Sequence, residues 1–80
     1  MLGVSDTHAE ARMPGTFKKI EIVGTSTVSF AEAVKSAIEE ASKTVRRMSW
    51  FEVVEQRGAV HDGKVAEFQV TLRVGFKIES

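Results

Sequence analysis

The sequence predicts a small α+β domain of βαββ order, and three observations carry that prediction. Phe68, Val70, Leu72, Val74, Phe76 and Ile78 alternate with Gln69, Thr71, Arg73, Gly75 and Lys77, the period of two that defines a half-buried strand. Phe30, Val34, Ala37, Ile38, Ala41, Val45 and Met48 recur at spacings of three and four, the apolar stripe of an amphipathic helix. Asp62-Gly63, between two runs rich in β-branched residues, marks a tight hairpin.

Residues 1–16 follow neither period and include the only proline, Pro14, so a loose N-terminal arm is predicted there. Phe17 to Val23 alternate well enough for a first strand, which Gly24 is expected to stop. The hydroxyl-rich stretch Gly24 to Ser29 reads as a loop, and Ser29 followed by Glu32 fits a capping box that starts the helix. The stripe carries that helix to about Met48, where Arg46 and Arg47 complement the negative end of its dipole. Trp50 to Val60 and Lys64 to Ile78 supply the second and third strands.

The first two strands are joined through a helix and the last two by a tight turn. Placing the third between them gives an antiparallel sheet of order 1-3-2, wrapped on one helix. One helix covers only one face of such a sheet. The other face, expected to carry Trp50, Val54, Gln69 and Thr71, is open or packs against another subunit.

Eighty residues, 42% of them hydrophobic, provide one small core, and chains of this size lean on disulfides, metals or self-association. Cysteine is absent, and His8 and His61 alone make no zinc cage, which leaves oligomerisation. Eleven scattered basic residues balance eleven acidic ones, so no electrostatic footprint for nucleic acid or an anionic membrane exists. No run approaches the roughly 18 apolar residues of a membrane span, and the N-terminus lacks the order of a signal peptide. A cytoplasmic address is expected.

Few residues suggest chemistry. The Gly24 to Ser29 loop lies where a helix N-terminus favours anions, but it has neither a Walker lysine nor a G-x-G-x-x-G pattern, and capping is the favoured role. The serines have no plausible His-Asp set, and His61 reads as a solvated turn residue. Glu52 and Glu55 sit at odd spacing on a strand, so alternation puts them on opposite sides and denies them a shared proton. Trp50 is different: alternation puts it on the face the helix does not cover, beside Gln69 and Thr71 rather than apolar partners. By pattern alone, interface or ligand stacking and core packing stand level. A flat aromatic next to a side-chain amide suits a planar heterocycle such as a flavin, a purine or a pterin.

From Phe17 to Glu79 the sequence resembles the dodecins, small flavin-binding proteins that assemble as hollow dodecameric shells. The residues that carry the resemblance are Lys18-Lys19-Ile20-Glu21-Ile22-Val23-Gly24-Thr25-Ser26, Ala41-Ser42-Lys43-Thr44-Val45-Arg46, Trp50-Phe51-Glu52-Val53 through Arg57-Gly58, and Phe68-Gln69-Val70-Thr71-Leu72-Arg73-Val74-Gly75-Phe76. The resemblance implies a dodecin-like flavin-binding domain over residues 17–80, with paired isoalloxazine rings stacked between tryptophans of symmetry-related chains. Trp50 occupies the place of that tryptophan, and Gln69 that of the glutamine that hydrogen-bonds the ring. Arg57 looks like the arginine of the bacterial members associated with FMN rather than riboflavin, with FAD a further flavin to consider. Strict alternation puts Arg57 opposite Trp50, so this role requires a bulge, for which Val53-Val54 and Gly58 leave room, or a second subunit. Some bacterial dodecins also bind coenzyme A, and Lys43 and Lys77 are the cations to test for its phosphates.

The resulting expectation is a non-enzymatic homo-oligomer that stores a flavin, FMN foremost, and quenches its excited state. The alternative is a structural or coenzyme A-binding shell whose tryptophan only packs the interface. A flavoenzyme would need a ring face accessible to substrate, which a buried stacked pair denies.

Overall fold

A computed structural model describes residues 15–78. Four elements follow in the expected order: β1 (Phe17–Ser26), α1 (Phe30–Ala41), β2 (Met48–His61) and β3 (Lys64–Lys77). They form a three-stranded antiparallel sheet of order β1-β3-β2 with the helix on one face. The arm expected over residues 1–16 lies outside the described residues apart from its last two, and the Thr16 carbonyl accepts from Ile78 N–H at 2.9 Å. Among the described residues no helix is long and apolar enough to cross a membrane.

The alternation of β3 decides where the core sits. Val70, Leu72 and Val74 have no exposed surface; Val70 and Leu72 meet Ala33 and Ala37 of α1, with Ile22, Phe30, Val34 and Ile38 packed around them. Phe30 and Phe68 close one end edge to face, their ring centroids 5.0 Å apart. Ser29 caps the helix, accepting from Glu32 N–H at 3.0 Å, and the Ser26 hydroxyl accepts from Val28 N–H at 2.9 Å. The Ser26 and Ser29 hydroxyls thus serve the loop's own backbone.

β1 continues through Gly24 to Ser26 instead of stopping there. A β-carbon at Gly24 would fall inside contact distance of the Ala33 carbonyl and 2.6 Å from the Ala37 β-carbon. The glycine, paired with Val70, is therefore the point where strand and helix backbones touch, and small residues on both sides allow it.

The helix is also shorter than its stripe. It ends at Ala41, and Lys43 and Thr44 N–H groups turn the chain by bonding back to Glu40 and Ala41 carbonyls. Thr44 and Val45 are poor helix formers, and Arg47 at φ 60° reverses the chain into β2. Val45 and Met48 keep the helical spacing by accident of the turn. No basic residue lies in the last helical turn, and Arg46 and Arg47, expected at the helix end, fall beyond it.

The hairpin has Asp62 at φ 51° and Gly63 at φ 74°, the two left-handed residues of a type I′ turn. Between Val53 and Glu55 the register shifts, leaving Val54 as an extra residue without a β3 partner. Val54 therefore drops out of the pairing it was expected to share with the open face. Beyond this bulge the alternation of β2 is inverted: Glu55 pairs with Thr71 and Arg57 with Gln69. Glu52, opposite Arg73, and Glu55, opposite Thr71, consequently share a face, contrary to strict alternation.

Candidate functional site

The face opposite the helix is built from side chains that directly paired residues bring together. Starting at the β1 N-terminus, the rows are Lys19, Gly75 and Trp50; then Glu21, Arg73 and Glu52; then Val23, Thr71 and Glu55; then Thr25, Gln69 and Arg57. No second layer covers it among the described residues, and Trp50 is 39% exposed. Its indole lies across Gly75, with the Phe17 ring 5.1 Å away and tilted by 53°.

Two ion pairs fill the middle. Lys19 meets Glu52, and Arg73 Nε lies 3.7 Å from Glu21. The hydrogen bond and the charge of Lys19 hold the Glu52 carboxyl below its ordinary value of 4.5, against a small desolvation effect and with help from Arg73. Although the bulge puts Glu52 and Glu55 on one face, Glu52 is committed to Lys19 as a carboxylate. A shared proton between the two is not its chemistry.

At the far end, Arg57 Nε donates to Gln69 Oε1 at 3.0 Å, and Gln69 Nε2 donates to Glu67 at 2.8 Å. The Val54 bulge makes this contact, since without it Arg57 would point to the other side. One amide lone pair and one amide proton of Gln69 are engaged, leaving one acceptor and one donor side by side. The structure thus brings Arg57 and Gln69 together but holds both away from Trp50. Gly75 and Gln69 are six residues apart on β3, a strand length of about 20 Å.

Lys43, in the turn after α1, and Lys77, at the end of β3, lie toward the molecule's other end. Lys43 pairs with Glu40 at 3.1 Å and borders a recess after the helix; Lys77 borders an adjoining one floored by Phe76 and Ile78. Val45, Arg46 and Arg47 separate and line both, and Lys18 joins the second. Sequence reasoning missed Lys18, Arg46 and Arg47 here, because the expected long helix absorbed the arginines; the Arg46-Arg47 pair just before a strand was the available signal. His61 sits at the hairpin with its Nε2 3.3 Å from Asp62, a solvated turn residue as expected, whereas His8 lies outside the described residues. Among the described residues no group of three or more His, Cys, Asp or Glu side chains is placed to hold a metal ion.

A one-helix βαββ sheet with an uncovered face bearing an aromatic, ion pairs and an amide–guanidinium contact defines the class: a small sheet protein whose distinctive groups lie on its open side. Comparison with known proteins narrows this. The dodecin family profile matches residues 16–79. The dodecin of Thermus thermophilus is 45% identical over 67 residues, covering 84% of this chain and 97% of that protein. The solved structure of the Streptomyces coelicolor dodecin superposes with a TM-score of 0.81 at 43% identity, covering 85% of this chain and 97% of that one. The calcium dodecin of Mycobacterium tuberculosis is 32% identical over 62 residues, covering 78% of this chain and 87% of that protein. The chain belongs to the dodecin family.

Proposed function

We propose that this protein is a flavin store in which isoalloxazine stacks on Trp50 and loses its excited state to the indole. The observation that carries the reading is the indole itself, laid on the sheet with surface exposed on a face that no second layer covers among the described residues. Large aromatic surface in that position is costly to leave wet and well suited to a planar ligand. The excited ring accepts an electron from indole and returns it, so the flavin ends unchanged and unreactive. No catalytic acid or base is needed, and we infer a carrier rather than an enzyme.

The strand length of about 20 Å between Trp50 and Gln69 supports a site shared between chains. A single tricyclic ring does not reach both within one protomer, so Trp50 of one copy and Gln69 of another supply its face and its polar edge. A homo-oligomer follows, and the dodecameric shell of the family is the assembly we assign to it, in the cytoplasm. The acceptor and donor left on Gln69 match the alternating edge of the pyrimidine ring. Arg57, fixed beside Gln69, is the cation for a ribityl phosphate, which favours FMN over riboflavin.

Titration of FMN into ligand-stripped protein, with emission and light scattering followed on one sample, tests the proposal. Saturable loss of emission on a particle near dodecamer mass is expected. An intact particle that leaves FMN emission untouched would overturn it.

A second reading concerns the recesses at the end of α1, where Lys18, Lys77 and Arg46 surround an apolar floor of Phe76 and Ile78. Cations around an apolar patch suit a nucleotide with several phosphates, and coenzyme A is the ligand we assign there, with Lys43 at the adjoining recess. Calorimetric titration with coenzyme A should give saturable binding that Lys77→Ala weakens; heat unaltered by that substitution would remove the site.

A further inference from the structure

Gly75 sits in the interior of the longest alternating strand, where glycine is ordinarily unfavourable. Its backbone does not explain it, since Gly63 is the only glycine with positive φ among the described residues. Space does. Gly75 is the direct cross-strand partner of Trp50, and a β-carbon there would lie 2.6 Å from indole Cη2 and closer still to Cζ2 and Cε2. The benzenoid half of the indole occupies the volume that any other residue would fill, and Gly75 is buried although it lies on the open face. Covering a strand glycine with an aromatic from the facing strand also returns part of the stability that glycine forfeits. Phe17, opposite Lys77 in the neighbouring row, stands beside the ring and limits its sideways swing.

We propose that Gly75 is a positioning residue for the stacking tryptophan. Its missing side chain lets the indole lie down on the sheet, with one π-face against the β3 backbone and the other presented outward. A β-carbon at position 75 lifts the ring and tilts the plane against which a ligand must stack. For ligand binding the inference rests on the flavin reading above; for the indole it stands on the ligand-free protein.

The test is a double-mutant cycle on the whole chain, with assembly checked by light scattering. In ligand-free protein, Gly75→Ala should lower Tm by several degrees and alter the near-ultraviolet circular dichroism of the single tryptophan. In a Trp50→Leu background, where no indole needs the seat, the same change should leave Tm unchanged or raise it. Folding lost with Trp50 but retained with Leu is equally supportive. Equal Tm losses in both backgrounds, or failure to fold in both, would overturn the proposal. With FMN, Gly75→Ala should bind about tenfold more weakly and leave the bound flavin more emissive, since stacking orientation sets both. Wild-type affinity and emission in an assembled Gly75→Ala protein would refute the positioning role, whereas absence of FMN binding by the wild type would refute the flavin reading and leave the Tm cycle to decide the seat.

Discussion

On the helix side of the sheet β3 contributes Val70, Leu72 and Val74, none with exposed surface; on the other side the same strand contributes Gln69, Thr71 and Arg73, of which Gln69 and Arg73 are held by polar contacts. The first face is dry, small in area and tightly matched, down to the glycine at which helix and strand backbones touch. The second is an ordered but uncovered array, with an aromatic at one end and an amide–guanidinium contact at the other. Folding information is concentrated on the first and, on the flavin reading proposed above, recognition on the second, and the pleat of a single strand keeps them apart. The division is uneven across the sheet, because α1 packs on β1 and β3 and leaves Phe51 and Val53 of β2 nearly half exposed. Those residues, together with Val60 and Val65 near the hairpin, are surface that a second copy would cover.

The comparison predicts its largest effects on the dry face. Leu72→Ala should cost about 2 to 5 kcal/mol, the range for a buried leucine that leaves a cavity, read as a lower denaturant midpoint at fixed protein concentration. A loss under about 1 kcal/mol would mean that assembly, not this core, sets stability. Next in size is Trp50→Ala, which should weaken FMN binding on the order of 100-fold and abolish quenching while costing the fold far less, as expected of a central aromatic anchor. Dissociation of the particle without any flavin-linked signal would instead assign Trp50 to interface packing. Arg57→Ala comes third: FMN should lose about tenfold in affinity and riboflavin little, since only FMN carries the phosphate. Equal losses for both ligands would show that Arg57 acts through Gln69 rather than on the phosphate.

How legible these two faces were in the sequence differs for physical reasons. The β3 alternation and the Asp62-Gly63 turn are local, since side-chain period and turn conformation depend on neighbours in the chain, and both are found where the sequence puts them. The end of α1 is not local. Val45 and Met48 continue the helical spacing, yet the chain must reverse at Arg47 to bring Trp50 opposite Gly75, and tertiary pairing overrides the stripe. Gly24 illustrates the same limit: a glycine in a strand reads as a stop unless the helix pressed against it is known. The bulge at Val54 is the most consequential case, because register is a property of two strands and one extra residue re-aims every later side chain. The need for a bulge and its candidate places, Val53-Val54 and Gly58, could be argued from Arg57 and Trp50, but the choice of Val54 and the Arg57–Gln69 contact required the partner strand. The residues of the site were thus readable as types, and their grouping was not.

The smallest predicted effect separates the faces by pH. The Lys19 ammonium holds the Glu52 carboxyl below 4.5, so the folded state binds that proton less readily than the unfolded chain does. A depressed folded pKa adds stability that is fully present above the unfolded value and disappears as pH falls through the folded one. Both side chains are about half exposed, so solvent and salt screen the pair and its contribution is small. Glu52→Gln should therefore lower Tm slightly at about pH 7, and the gap from wild type should narrow as pH falls below 4.5 and in molar salt. Leu72→Ala, whose loss is apolar, should show a gap that neither acid nor salt closes in this way. A Glu52→Gln difference that stays constant across the same range would mean that the ion pair contributes nothing, and that Glu52 matters only through the packing of its side chain opposite Arg73.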